Sequence, residues 1–269
     1  MRKLIRKSAF ADLRINLMLE ELPLKICNAF WHPKEKRVTS YEKLKLLSVM
    51  GVVPFYLEQI RRKTTHKKIV TCLANGPKEL VQICAKLGKM QGGLYSKNLD
   101  DLVKAGFVKR DFVWDFKSGK EGKLSRYRLS DNYLRFYLKY IAPNCAKIEK
   151  GNFSTSISLH LPGWESILGL QFENLVVHNS KTLWQMLEIT PEKIVAEGPF
   201  FQSATTRQEG CQIDYMIQTR FHNLYICEIR FSKSPIGHKI IKEMEYKRKR
   251  LKVPRYCSIR PVLIHVNGV

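Results

Sequence analysis

Two runs of strict alternation, separated by a short polar turn, constrain this chain more than any other feature. In Cys211 to Gln218, Ile213, Tyr215 and Ile217 alternate with Gln212, Asp214, Met216 and Gln218. In Leu224 to Phe231, Leu224, Ile226, Glu228 and Arg230 alternate with Tyr225, Cys227, Ile229 and Phe231. A period of two in segments rich in β-branched and aromatic residues reads as two strands. A hairpin symmetric about Phe221 sets Gln218 opposite Leu224, Met216 opposite Ile226 and Asp214 opposite Glu228. Opposed side chains share one face with Cβ atoms about 5 Å apart. Arg230, two residues beyond Glu228, joins that face.

Two carboxylates so placed repel one another unless positive charge lies between them. A hard divalent cation meets that need, because Mg²⁺ takes carboxylate oxygens together with waters and substrate phosphates. Arg230 meets it too, as an ion-pair partner on a solvated sheet face. The hairpin alone leaves both readings open.

Upstream, Pro162 to Asn179 carries Trp164, Ile167, Leu168, Phe172, Leu175 and Val176 at helical spacing, with Glu173 beside the apolar stripe. A helix bearing Glu, then a strand with Asp, then a strand with Glu-x-basic resembles the PD-(D/E)xK nuclease core. The resemblance implies that Asp214 and Glu228 hold a Mg²⁺ ion, that Glu173 supports it and that the basic residue assists at the phosphate. The usual pattern has Lys where this chain has Arg230. An Arg stabilises developing phosphoryl charge but, with a pKa above about 12, it cannot take up a proton. The helix Gly237 to Val253 carries Ile240, Ile241, Met244 and Leu251 among many cations. By the same resemblance a basic helix in this place lies near the scissile phosphate, with Lys247 as its candidate.

The 269 residues suffice for two or three small domains, and an apolar content of 44% is that of a globular chain. No run approaches the roughly 18 apolar residues of a membrane span, and Asp12 and Arg14 interrupt any signal-like segment after the basic start. Seven scattered cysteines, none in a CxxC pair, suit reduced thiols in the cytoplasm. The formal net charge of +23 is unevenly spread. Residues 1–146 carry 30 Lys/Arg against 13 Asp/Glu, residues 147–230 carry 7 against 9, and residues 231–260 carry 10 against 2. An acidic site thus sits in a near-neutral block between basic ones, a field that attracts nucleic acid, most simply DNA. A protein that is merely basic has the same totals.

Residues 64–143 have their own rhythm. Helices are expected over Thr65–Ala74, Pro77–Leu87 and Leu94 to Gly106, followed by alternating strands Phe107–Phe116 and Leu124–Asp131 joined by a Gly- and Lys-rich turn. Three helices and a basic two-stranded ribbon describe a winged helix-turn-helix. Its third helix presents Lys97 and Lys104 to a major groove. Its wing presents Lys117, Lys120, Lys123, Arg126 and Arg128 to phosphates, contacts that position without specifying sequence. A rigid protein-docking module with a soluble hairpin is the competing reading. Asn132 to Asn144 reads as an aromatic helix packed between domains, Lys147 to Ser156 as a linker, and Arg260 to Val269 as a buried strand running into an Asn-Gly turn.

Tyr41 to Ile60, the winged-helix block through Asn144, and the segments Gly169–Val176, Gly210–Arg220 and Leu224–Phe231 together resemble prokaryotic AAA-type ATPases. Those ATPases carry a C-terminal PD-(D/E)xK-like domain of unknown function. The resemblance implies residues 1–63 as a helical lid segment, 64–143 as the winged helix and 144–269 as the nuclease-like domain. The expected fold class is therefore α+β to α/β and multidomain, ending in a restriction-endonuclease-like mixed sheet flanked by helices. No GxxxxGK[ST] loop occurs, so no ATP site is expected in this chain. The reading is of a truncated family member that binds nucleic acid, with metal-dependent phosphodiester cleavage as the enzymatic form. A non-catalytic binding module, or a regulatory partner of a separate ATPase subunit, is the other form.

Overall fold

The computed structural model describes residues 64–88, 93–150 and 161–266. The expected lid segment at 1–63 and the Asn267-Gly268 turn lie outside them. The described chain is an α+β structure with one two-stranded antiparallel sheet and one four-stranded mixed sheet. Among the described residues no helix is long and apolar enough to cross a membrane.

The first unit comprises α1 (Thr64–Leu73), α2 (Leu80–Lys86), α3 (Gly93–Lys104), β1 (Val108–Trp114) and β2 (Glu121–Leu129). Ile69, Leu73, Ile83, Leu99, Leu102, Val108 and Leu129 close its core. Helix α2 starts three residues later than the Pro77 signal suggests. Lys78 instead exchanges backbone hydrogen bonds with Tyr127, at 3.0 and 2.8 Å, adding a bridge to β2. Strand β2 also takes in Glu121–Lys123, read from sequence as turn. Gly119, at φ +69°, makes the turn, and a Cβ there would stand 2.4 Å from a Val195 methyl. The turn thus lies against the second unit.

The aromatic segment after β2 is not one α-helix. It runs as α4 (Asn132–Phe136), a π turn over Tyr137–Ile141 and a 3₁₀ turn over Ala142–Asn144, followed by α5 (Cys145–Glu149), which runs into the start of the expected linker. Pro143 explains the change: it lacks the N–H of an α-helical bond, and its ring clashes with the carbonyl four residues back. A widened turn relieves both. Phe136 and Tyr140 pack edge-on against Trp164 at 5.9 and 5.7 Å, so the aromatic face is a packing surface.

The second unit contains α6 (Trp164–His178), α7 (Ser180–Met186), β3 (Ile194–Gln202), β4 (Cys211–Thr219), β5 (Asn223–Arg230), α8 (Lys239–Arg250) and β6 (Ser258–His265). The sheet order is β3-β4-β5-β6, antiparallel except for β6, which runs parallel to β5. Helix α8 is the crossover that parallel pairing needs. Strand β3 has no alternation in sequence because Gly198-Pro199 sits within it. A proline is tolerated there since β3 is an edge strand. The hairpin register is the expected one from Gln218 opposite Leu224 to Tyr215 opposite Cys227, while the expected Asp214–Glu228 pair lies beyond the paired residues. Phe172, Leu183, Tyr215, Ile217, Cys227 and Ile229 pack on one face under α6 and α7. Met216, Leu224, Ile226 and Leu251 pack on the other, together with Trp114 from β1.

The two units share a polar seam set into this packing. Trp114 Nε1 donates to Gln218 Oε1 at 2.8 Å, and Gln218 Nε2 donates to the Phe116 carbonyl at 2.7 Å. On α6, Gln171 donates to the Asn132 carbonyl, and Asn174 Nδ2 donates to the Leu129 and Ser130 carbonyls and to Asn132 Oδ1. Arg128 donates to Asn174 Oδ1 at 2.5 Å and forks onto both oxygens of Asp111 at 2.9 and 3.1 Å. Replacing one member of a buried pair strands the other charge, at a cost of about 3–5 kcal/mol. Arg128→Ala is expected to lower the urea-unfolding free energy by about that amount, while exposed Lys123→Ala stays within about 0.5 kcal/mol. Equal stabilities for the two variants would show that the seam is not what holds α6.

Candidate functional site

Glu228 and Asp214 come together where the β4–β5 ladder stops. Paired residues end at Tyr215 opposite Cys227. Along β3 the register steps from Gly198 opposite Met216 to Phe200 opposite Ile213, so β4 advances three residues while β3 advances two. Asp214 lies in that irregularity. A bulge of this kind re-aims a side chain beside a site. Here Asp214 Oδ2 accepts the Ile229 N–H at 2.9 Å, and its Oδ1 lies 3.9 Å from Lys247 Nζ.

Glu228 is 3% exposed, and both its oxygens are engaged by cations. Lys247 Nζ is 2.5 Å from Oε2, and Arg230 Nη2 is 2.7 Å from Oε1. The same Arg230 nitrogen is 2.7 Å from Glu243 Oε2. Lys247 reaches this place because Ile240, Met244, Lys247 and Leu251 fall on one helical stripe. Ile240, Met244 and Leu251 anchor the stripe in the sheet, and Lys247 is its polar member. Ile241, read as part of that apolar face, is instead 54% exposed. Glu243 was missed in the sequence: its spacing to Lys247 suggests a pair along the helix, yet it turns to Arg230.

Glu173 stands on the other side of Asp214. It lines a cleft with Asp214, Gln212, Phe201, Arg126 and Arg128, between the two units. Gln171 and Asn174 fix the rotation of α6 and so aim Glu173 into it. Burial, and then the nearby Asp214 charge, raise the Glu173 carboxyl to about 7, against the pull of Arg135 and Arg128. Burial, and then the Glu228 charge, raise Asp214 to about 6, opposed by Lys247 and the Ile229 N–H. Burial raises the neighbouring Cys227 thiol to about 12, which keeps it an inert thiol.

The residues expected to meet nucleic acid fall into two groups. Lys97 and Lys104 on α3, and Lys117, Lys120 and Lys123 around the β1–β2 turn, are exposed. Arg126 is held by Gln212 at 3.2 Å and Glu79 at 3.5 Å, with its guanidinium 3.8 Å above the Phe201 ring. Arg128 is a correction: it is buried in the seam with Asp111 and Asn174, not displayed on an outer ribbon. Alternation alone could not separate these two arginines from the lysines, since only the docking of the hairpin on β3 buries that end.

Asp214 and Glu228 suit a Mg²⁺ ion as two converging carboxylates, a donor set that Mg²⁺ completes with water and phosphate oxygens. The positive point on which they already converge is Lys247 Nζ. Among the described residues no group of three or more His, Cys, Asp and Glu side chains is close enough to hold an ion, so Glu173 stands outside the pair.

A carboxyl raised in the folded state favours folding less once it ionises. Stability is therefore expected to fall as pH rises from about 4.5, the ordinary carboxyl value, to about 7, the folded one, on account of Glu173. Glu173→Gln removes that dependence, so its advantage over the parent grows across this window by on the order of 1–3 kcal/mol and then levels off. Urea unfolding of both proteins between pH 4 and 8 measures the difference; parallel profiles would reject it.

No protein-family model matches the chain. A stretch of 173 residues, 64% of this chain, is 28% identical to an uncharacterized protein of Methanocaldococcus jannaschii and covers 36% of that protein. The chain thus spans about a third of the length of this curated relative.

Proposed function

We propose that this chain is a cytoplasmic nucleic-acid-binding protein combining a winged-helix-type unit with a PD-(D/E)xK-type unit. Its reaction is metal-dependent phosphodiester hydrolysis at Asp214, Glu228 and Lys247. The observation that carries the reading is the convergence of two carboxylates from neighbouring strands on one cationic point, beside a field of exposed lysines. The free thiols of the six described cysteines agree with a reducing compartment. The likeness to AAA-type ATPases with a C-terminal nuclease-like domain belongs to the same proposal, as does a separate ATPase subunit as partner.

In this reading Asp214 and Glu228 hold a Mg²⁺ ion and Glu173 lies behind it. The bound ion would polarise the phosphoryl oxygen and lower the pKa of a coordinated water. Lys247, released from the acids, turns its ammonium to the phosphate. Arg230 remains on Glu228 and Glu243 and offsets charge without exchanging protons. Glu173, with a carboxyl near neutrality, is placed to take a proton from the water side. Exposed Lys97, Lys104, Lys117, Lys120 and Lys123 hold the strand by its phosphates.

A second reading is favoured by one observation: both Glu228 oxygens are already satisfied by Lys247 and Arg230. With Lys247 permanently in the cation's place, the same fold binds nucleic acid without cutting it.

Supercoiled plasmid incubated with Mg²⁺ or Mn²⁺ decides between them. Nicking that is lost with chelator and in Asp214→Ala is the expected result. Absence of nicking, or nicking that survives Asp214→Ala, removes the hydrolytic reading. Either way, replacing Lys117, Lys120 and Lys123 together by Ala is expected to make the slope of log affinity against log salt shallower by about 2–3 on duplex DNA. An unchanged slope places the phosphates elsewhere.

A further inference from the structure

The β4–β5 turn lies at the far end of the hairpin from Asp214 and Glu228, and its chemistry is unusual for a turn. Turns favour Gly, Asn, Asp and Ser, yet here Phe221 sits at the tip and is 70% exposed. His222 next to it adopts φ +56°, a region that non-glycine residues seldom enter. The backbone around them is tied down. His222 N–H donates to the Thr219 carbonyl at 3.0 Å, and the Ser258 N–H donates to the His222 carbonyl at 2.9 Å. That second bond brings the approach to β6 alongside the turn. Tyr256, 51% exposed, stands edge-on to His222 with ring centroids 4.6 Å apart.

Exposed cations adjoin these rings along the chain. Arg220, whose backbone N–H donates to the Lys193 carbonyl at 2.8 Å, precedes Phe221, and Arg255 precedes Tyr256; Lys193, Arg220 and Arg255 are all exposed. Residues 219–223 and 254–260 contain no acid; exposed Glu192, next to Lys193, borders the patch. Large rings held in water by a tied-down backbone, each next along the chain to an exposed arginine, match a ligand with flat apolar faces and a polyanionic backbone. Single-stranded nucleic acid has both. Its unstacked bases pair face to face with aromatic side chains, whereas duplex bases are already stacked on one another.

We propose that Phe221 and Tyr256, flanked by Arg220 and Arg255, form a stacking site for a single nucleic-acid strand, separate from the acid pair. It shares only a polyanionic ligand class with the hydrolytic reading and does not need the reaction.

Fluorescence anisotropy with the full chain and a labelled oligo-dT of about twelve nucleotides tests it, with a duplex of equal length beside it. Each stacked base contributes about tenfold in affinity. Phe221→Ala with Tyr256→Ala is therefore expected to weaken single-strand binding at least tenfold and to leave duplex binding within twofold. Arg220→Gln with Arg255→Gln is expected to make the single-strand salt slope shallower by about 1.4. Circular dichroism melts confirm that the variants fold. Unchanged single-strand affinity in folded aromatic variants overturns the proposal, as does equal loss on both substrates. Displacement of the oligonucleotide by polyglutamate as efficiently as by unlabelled oligo-dT also overturns it. All affinities are measured in chelator, where no metal-dependent hydrolysis occurs, so the stacking site and the hydrolytic reading fail separately.

Discussion

Glu228 is a carboxylate almost withdrawn from water, and the second unit is organised around compensating it. An uncompensated charge at that depth costs several kcal/mol, so two cations converge on its two oxygens. Lys247 comes from a helix more than a dozen residues away, and Arg230 comes from the same strand. The buried stripe of Ile240, Met244 and Leu251 sets the rotation of α8 and carries Lys247 to Glu228. The position of α8 in turn permits β6 to return parallel to β5. Compensation is therefore structural first. The chemical consequence is that the second carboxylate, Asp214, meets the same ammonium.

The polar seam between the units plays a comparable part for Glu173. Gln171 and Asn174 face the first unit, and their bonds to the Leu129–Asn132 backbone fix α6 in rotation. With the apolar residues of α6 turned to the sheet, Glu173 is left on the border, in the cleft shared with Asp214. Its shift toward neutrality follows from that placement: it has lost water, it faces a like charge, and its arginine neighbours compensate only in part. The basic hairpin is thereby a packing element as well as a charged one, since Trp114 and Phe116 belong to the core beside the four-stranded sheet.

Strand-by-strand, the hairpin was legible because period-two alternation and a short polar turn leave only one register that buries both apolar sets. Three helices and the basic ribbon were legible for similar reasons, from spacing and glycine punctuation. Strand β3 was not. Gly198 and Pro199 erase its pattern, and it survives as a strand because it needs partners on one side only. The fate of Arg128 was equally hidden, since alternation puts Arg126 and Arg128 on one face without saying what covers it.

The amino-acid sequence by itself determined the three helices and ribbon of the first unit, the hairpin register and the neighbourhood of the two acids, because these follow from spacing along the chain. Only tertiary structure decided three further matters. The β4 irregularity turned Asp214 aside, α8 brought Lys247 between the carboxylates, and the docked hairpin took Arg128 out of solvent. Each depends on contacts between residues far apart in the chain, where packing and the cost of buried charge choose among arrangements that local pattern leaves equal.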